Sequence, residues 1–64
     1  MNLKKVRLSE ALKEFRKETG RNQYDMARDL DVSIATYRNW ELMTGMPNQD
    51  NLKKLEEMGV KYEN

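Results

Sequence analysis

Apolar residues recur at helical spacing in four stretches of the chain, and no stretch of useful length alternates between apolar and polar positions as a strand would. The stretches predict four helices, over residues 8–19, 23–30, 34–41 and 49–58. The inward face of the first helix is expected to consist of Leu8, Leu12, Phe15 and Thr19. The fold class that follows is all-α: a compact bundle of four short helices, or five if the C-terminal residues add one more.

Polar residues and glycines mark the ends of these predicted helices. Serine and asparagine side chains accept hydrogen bonds from the first backbone N–H groups of a helix, which predicts four N-caps: Ser9, Asn22, Ser33 and Asn48. Gly20 and Gly59 follow the first and fourth helices, where a left-handed residue commonly ends a helix. Asp31 follows the second helix and tolerates a positive φ better than most residues other than glycine.

The second and third predicted helices are joined by a turn of about three residues, which is the arrangement of a helix-turn-helix. Ala27 supplies a small residue where the two helices would cross, and Val32 supplies an apolar residue that the turn can insert into the core. Tyr37 and Trp40 lie three positions apart and are expected to point inward. The outward residues of the third helix are then small or polar, as entry into a groove requires.

The composition restricts the chemistry that the chain can perform. It has 64 residues, the size of one small domain, and neither cysteine nor histidine. The usual zinc ligands are therefore missing, and no metal ion or other cofactor is expected. Without histidine, cysteine or a glycine-rich phosphate loop, no catalytic residue and no enzymatic activity are expected. No apolar run approaches the roughly 20 residues of a membrane span, so a cytoplasmic protein is expected.

The net charge is only +1, and the basic excess lies at the N-terminal end. Lys4, Lys5 and Arg7 give residues 1–8 a charge of +3, because these residues include no acid. We therefore divide the chain into a basic N-terminal arm over residues 1–7 and a helical domain over residues 8–64. Two interpretations of the arm stay open, a solvated tail and a segment that contacts DNA.

From about Leu12 to Val60 the sequence resembles the Cro and phage-repressor family of helix-turn-helix proteins, also called the xenobiotic-response-element family. The matching positions are Phe15 with Arg16, Gln23, Ala27, Leu30 to Val32, Ser33, Trp40 with Glu41, and Pro47. Asp31 and Met43 stand where the family usually has glycine. The loop Leu42–Met46 has none of the basic residues that usually meet phosphates there. The resemblance implies a lambda-repressor-like fold.

The resemblance also implies that the third helix enters the major groove of double-stranded DNA. Base contacts are then expected from its outward residues Ile34, Ala35, Thr36, Arg38 and Asn39. Phosphate contacts are expected from Arg21, Gln23, Arg28 and Ser33. Arg16 and Glu41 are expected to form an ion pair that orients the third helix. Simpler roles stay open: core packing for Ile34, capping for Ser33 and solvation for Gln23, Asn39 and the two arginines Arg21 and Arg28.

The function that the resemblance implies is that of a sequence-specific regulator of transcription. It would be a Cro-like repressor of a phage or mobile element, bound to a palindromic operator as a weak homodimer that can form on the DNA. The candidate dimer surfaces are Leu42–Met46 and Met58–Tyr62, and no small-molecule ligand or membrane partner is expected. Two alternatives with the same fold stay open: an antirepressor-like protein-interaction module, favoured by the low net charge, and an antitoxin.

Overall fold

A computed structural model of the chain describes residues 3–61 and contains four helices and no strand within that range. The helices are α1 (Leu3–Thr19), α2 (Gln23–Leu30), α3 (Ile34–Glu41) and α4 (Gln49–Met58). The predicted all-α class is confirmed, and α2, α3 and α4 have the predicted bounds. Met1, Asn2 and the C-terminal residues from Tyr62 onward lie outside the described residues, so the predictions that involve them stay predictions.

The start of α1 is the one helix boundary that was predicted wrongly. The helix begins at Leu3, five residues before Leu8, because the leucine, lysines, valine and arginine of residues 3–7 include no helix breaker. Ser9 is therefore no N-cap: it lies inside α1, is 2% exposed, and its hydroxyl donates to the backbone carbonyl of Glu41. Lys4, Lys5 and Arg7 belong to the first turns of this helix, and a contact between them and DNA stays a prediction.

A second correction concerns the inward face of α1. Leu8 and Leu12 are fully buried and Phe15 is almost so, as predicted, but Thr19 is exposed. The hydroxyl of Thr19 donates to the carbonyl oxygen of Phe15, 2.7 Å away, within the last turn. A threonine can satisfy its hydroxyl in this way without leaving the helix surface, so its position on the apolar face did not require burial.

The start of each of the other helices is capped by the predicted residue. The side-chain oxygen of Asn22 accepts from the backbone N–H of Asp25 at 2.7 Å, and the Asp25 carboxylate accepts from the N–H of Asn22, which completes a capping box. Ser33 and Asn48 accept in the same way at the starts of α3 and α4. These bonds use N–H groups that have no partner within the helix.

Each of the four helices is followed, within two residues, by a residue with left-handed backbone, and the residue after that one donates a hydrogen bond to the carbonyl five positions back. The left-handed residues are Gly20, Asp31, Met43 and Gly59. The returning hydrogen bonds run from Arg21 to Arg16, from Val32 to Ala27, from Thr44 to Asn39 and from Val60 to Leu55. This is the Schellman type of helix end, in which glycine is usual. The predicted positive φ of Asp31 is confirmed at 58°.

Met43 is expected to be a strained position, because a methionine with φ at 65° places its Cβ close to its own carbonyl oxygen. Replacing it by glycine, Met43→Gly, should raise the free energy of unfolding by about 0.5–1 kcal/mol. Urea unfolding followed by circular dichroism measures the change. Leu42→Gly, one residue earlier and at a φ of −84°, is the matched control and should lower the stability instead, because glycine brings no relief of strain there. An unchanged or lower stability of Met43→Gly would contradict the strain.

The core lies between α1, α2 and α3, with α4 packed against α2. Its buried apolar residues are Leu8, Leu12, Phe15, Met26, Ala27, Leu30, Tyr37, Trp40, Leu55 and Val60. Val60 turns back onto this core after α4, as predicted, and Val32 packs against its edge. Because α3 contacts α1 and α2 with one face only, its opposite face stays open to solvent.

Candidate nucleic-acid interface

The carboxylate of Glu41 joins the three helices of the core at the C-terminal end of α3. It is 3% exposed and accepts from Arg16 twice, with Nε 2.7 Å from Oε2 and Nη2 2.9 Å from Oε1. Oε1 also accepts from Nε2 of Gln23 at 3.0 Å, and Oε2 accepts from the hydroxyl of Tyr37. We call Arg16, Gln23, Tyr37 and Glu41 the Glu41 network. It contains the ion pair that the resemblance implied, together with two donors that sequence reasoning missed.

Opposing effects act on the pKa of Glu41. Burial raises the pKa, but the hydrogen bonds from Arg16, Tyr37 and Gln23 stabilise the charged form, and the pKa is lowered overall from its ordinary value. The hydrogen bond with Glu41 in turn raises the pKa of Arg16. Burial, followed by the hydrogen bond to Glu41, raises the pKa of Tyr37 well above its usual range. The network is therefore an ionised arginine–glutamate pair with a neutral tyrosine.

The opposite face of α3 presents the residues that were predicted to contact bases. Ala35, Thr36, Arg38 and Asn39 are exposed, so the structure leaves this face free of other helices. Ile34 is half-buried: part of its side chain packs against the core, and the rest is exposed at the edge of this face. The residues predicted to contact bases therefore all lie on α3, and four of the five are exposed.

The residues predicted to contact phosphates are mostly engaged within the protein. Arg21 pairs with Asp29 at 3.2 Å, and Arg28 lies 3.5 Å from Asp25 and 3.6 Å from Asp29. Ser33 donates to the hydroxyl of Thr36 and caps its backbone N–H. These internal partners support the simpler roles for the three side chains.

Gln23 links the interior to the open face. Its Nε2 donates to Glu41, and its Oε1 accepts from Nε of Arg38 at 3.3 Å. The start of α2 and the middle of α3 are therefore held together by one amide. Arg38 remains exposed, so its guanidinium keeps other donors for an outside acceptor.

The architecture described so far, two short helices joined by a tight turn and held by a third, agrees with what comparison with known proteins finds. A family model described as helix-turn-helix, of the Cro and C1 type, matches residues 12–58. The chain belongs to this helix-turn-helix family. The family is one of DNA-binding regulators of transcription, and the chain is a regulator of that kind. No curated protein and no solved structure matches the chain significantly.

The helix-turn-helix unit carries one large exposed residue that sequence reasoning did not assign. Tyr24, the second residue of α2, is 70% exposed and lines a shallow groove with Gln23, Ile34 and Arg38. Helical periodicity could have predicted this exposure, because the inward residues of α2 are Met26, Ala27 and Leu30, and Tyr24 does not lie on their face of the helix. An aromatic ring therefore borders the open face of α3.

Among residues 3–61, no helix is both long and apolar enough to cross a membrane. In the same part of the chain, no group of three or more acidic, histidine or cysteine side chains could hold a metal ion.

The Glu41 network makes stability depend on pH in a defined direction. Because the pKa of Glu41 is lower in the folded than in the unfolded chain, its contribution is present above the ordinary value of 4.5 and is lost as the pH falls through the lower folded-state pKa. Carbon NMR of the Glu41 carboxyl group measures that pKa, and urea unfolding at several pH values measures the loss. A carboxyl that titrates above 4.5 would contradict the expectation.

Proposed function

We propose that the chain is a sequence-specific, Cro-like repressor that inserts α3 into the major groove and binds a palindromic operator as a homodimer. The observation that carries the proposal is the two-sided character of α3. One side is anchored by Tyr37, Trp40 and Glu41, all buried, and the other presents small and polar residues to solvent. A helix held on one side and open on the other has the form that groove entry requires.

The exposed residues of α3 match the chemistry of base edges. The amide of Asn39 can donate to N7 and accept from N6 of an adenine, and Ala35 and Ile34 can contact thymine methyl groups. Thr36 can donate to or accept from either kind of base pair. We expect these four side chains to supply the sequence preference, because they share the open face of one short helix.

The sequence predicted a base contact for Arg38, but its position beside the start of α2 leads us to expect a phosphate contact from it instead. Arg38 is exposed and is held next to Gln23, where the N-terminal end of α2 favours an anion. Arg21 and Arg28 lie beside the carboxylates of Asp25 and Asp29, whose charge weakens the attraction of these arginines for a phosphate. We therefore expect a modest number of phosphate contacts and a correspondingly moderate salt dependence.

A dimer is expected because one small domain covers little DNA, and two-fold symmetry of the protein matches a palindrome with half-sites about 34 Å apart. The loop Leu42–Met46 is a candidate dimer surface, since Leu42 is 63% and Met43 is 44% exposed.

The same loop favours a second candidate function, a protein-interaction module that regulates through a protein partner. Its exposed apolar residues are adjacent to α3, and the loop has no basic side chain to meet a phosphate. An apolar protein interface would lack the steep loss of affinity with salt that phosphate contacts cause.

Selection from a pool of random DNA duplexes, at low and at physiological salt, tests the proposal. We expect a palindrome to be enriched and its binding to weaken as the salt concentration rises. Asn39→Ala should weaken binding to the selected site by roughly 5- to 100-fold and relax the preference at one position in each half-site. Gln49→Ala, which removes an exposed amide from α4, is the matched control and should leave binding unchanged. No enrichment even at low salt would overturn the proposal and favour the protein-interaction module.

A further inference from the structure

The loop after α3 holds the amide of Asn39 in one orientation. The hydroxyl of Thr44 donates to Oδ1 of Asn39 at 3.1 Å and lies 3.3 Å from the Asn39 backbone oxygen. The backbone N–H of Thr44 donates to that same backbone oxygen at 2.9 Å. The side chain that is proposed to read a base is therefore supported from the loop and not from its own helix.

This arrangement follows from the way in which α3 ends. Met43 has left-handed backbone, which turns the chain back on itself. Thr44 therefore lies beside Asn39, the residue five positions earlier in the chain. Gly45 continues along the same side, where an added Cβ would lie 3.5 Å from Cβ of Asn39, an ordinary contact distance. The loop backbone thus passes directly over the Asn39 side chain.

The hydrogen bond with Thr44 restrains the Asn39 amide, and the end of the amide that faces the hydroxyl is the oxygen. An amide oxygen has two lone pairs, so Oδ1 can accept from Thr44 and still accept once more. Within the described part of the chain, Nδ2 of Asn39 donates to no side chain or backbone group. Asn39 therefore presents an acceptor on the side held by Thr44 and a free donor on the other side.

We propose that Thr44 is a positioning residue that makes Asn39 select adenine over guanine at the base it reads, an inference that rests on the proposed function. Adenine offers one donor and one acceptor in the major groove, whereas guanine offers two acceptors. An amide with its oxygen held in place matches the donor and acceptor of adenine. In that orientation Nδ2 can donate to N7 of either purine, but Oδ1 meets a donor only in adenine and would meet the acceptor O6 of guanine. An amide that Thr44 does not hold could turn Oδ1 away from O6 while keeping the bond to N7, so it would tolerate guanine better.

The test compares two replacements of Thr44. Thr44→Val keeps the shape of the side chain but removes the hydroxyl, whereas Thr44→Ser keeps the hydroxyl. Thr19→Val is the matched control, because it removes an exposed threonine hydroxyl on α1 that bonds only within its own helix. Thermal unfolding of each variant is recorded first, so that binding is compared between folded proteins.

The measurement is competition between the selected operator and a version in which guanine replaces adenine at the position that Asn39→Ala affects. The unaltered protein is expected to prefer adenine by roughly tenfold, and Thr44→Val should reduce that preference to about threefold or less. Thr44→Ser and Thr19→Val should keep the preference. Because none of these replacements adds or removes a charge that could meet a phosphate, the dependence of binding on salt should be the same in all four proteins.

Three results would overturn the inference, and they differ in what they imply. If Thr44→Val keeps the full preference for adenine, or if Asn39→Ala alters no position, Thr44 does not act through Asn39, while the operator-binding function stands. If the unaltered protein itself selects no sequence from the random pool, the proposed function fails and the inference fails with it.

Discussion

Glu41→Gln should lower the free energy of unfolding by about 2–4 kcal/mol, because it leaves the half-buried guanidinium of Arg16 without its counter-charge. The amide also introduces donors toward Arg16 and Tyr37, which both donate to the carboxylate. A domain of this size has only about 3–10 kcal/mol of stability in total, so the variant should lose a large fraction of it.

Urea or thermal unfolding followed by circular dichroism measures this loss. Glu57→Gln, on the exposed side of α4, is the matched control and should change the free energy of unfolding by less than about 0.5 kcal/mol. A loss below about 1 kcal/mol for Glu41→Gln would mean that the Glu41 network contributes no more than a surface ion pair.

A combined variant separates the cost of an unpaired charge from the value of the network. Arg16→Met, Tyr37→Phe and Glu41→Leu together remove the charges and the buried hydroxyl, and Gln23 keeps access to water. This triple variant should be more stable than Glu41→Gln alone, because no buried polar group is left without a partner. If the triple variant is as unstable as Glu41→Gln, the Glu41 network must contribute more to the free energy of unfolding than the mutual pairing of its own polar groups.

Trp40→Ala should also lower the free energy of unfolding by about 3–5 kcal/mol, through the cavity that it leaves. Trp40 is 3% exposed, and its ring meets that of Tyr37 edge to face with centroids 5.9 Å apart. Both residues lie on the inward side of α3, so the loss of one removes apolar area and the aromatic pair at the same time. Since α3 has only eight residues, it depends on this packing for its helical structure.

Two matched variants accompany this measurement. Trp40→Phe keeps an aromatic ring in the site and should lose clearly less stability than Trp40→Ala. Tyr24→Ala removes a ring that is 70% exposed and should change the free energy of unfolding by less than about 1 kcal/mol. Equal losses for Trp40→Ala and Tyr24→Ala would contradict the assignment of Trp40 to the core.

Three of the four helices could be predicted from sequence to the residue, because their boundaries depend on local groups. Asn22, Ser33 and Asn48 cap the helices that follow them, and Asp31 and Gly59 end two of them with left-handed backbone. Each of these residues acts on backbone groups within five positions, so its effect can be recognised from the neighbouring letters.

The start of α1 could not be predicted in the same way. A serine followed by an acid is typical of a helix start, and Ser9 with Glu10 has this pattern. The backbone continues as a helix through this point to Leu3, and the Ser9 hydroxyl finds its acceptor at Glu41, 32 positions away. Only the packing of α1 against α3 brings that acceptor within reach.

The same distinction applies to the candidate site. The open face of α3 could be predicted, because Tyr37 and Trp40 identify the inward side and leave Ala35, Thr36 and Asn39 outward. The pair of Arg21 with Asp29 could not, since eight positions separate these residues and the fold brings them together. The pair of Asp25 with Arg28 is different, because residues three apart on a helix are neighbours and the spacing alone predicts it.

By itself, then, the sequence determined the all-helical class, the helix-turn-helix unit and the face that α3 presents, because periodicity and capping act between near neighbours. The tertiary structure alone decided which side chains hold that face in place. Gln23 and Tyr37 join the pair of Arg16 and Glu41, and Thr44 reaches Asn39, because the packing angles of the helices and the path of one loop bring these groups together.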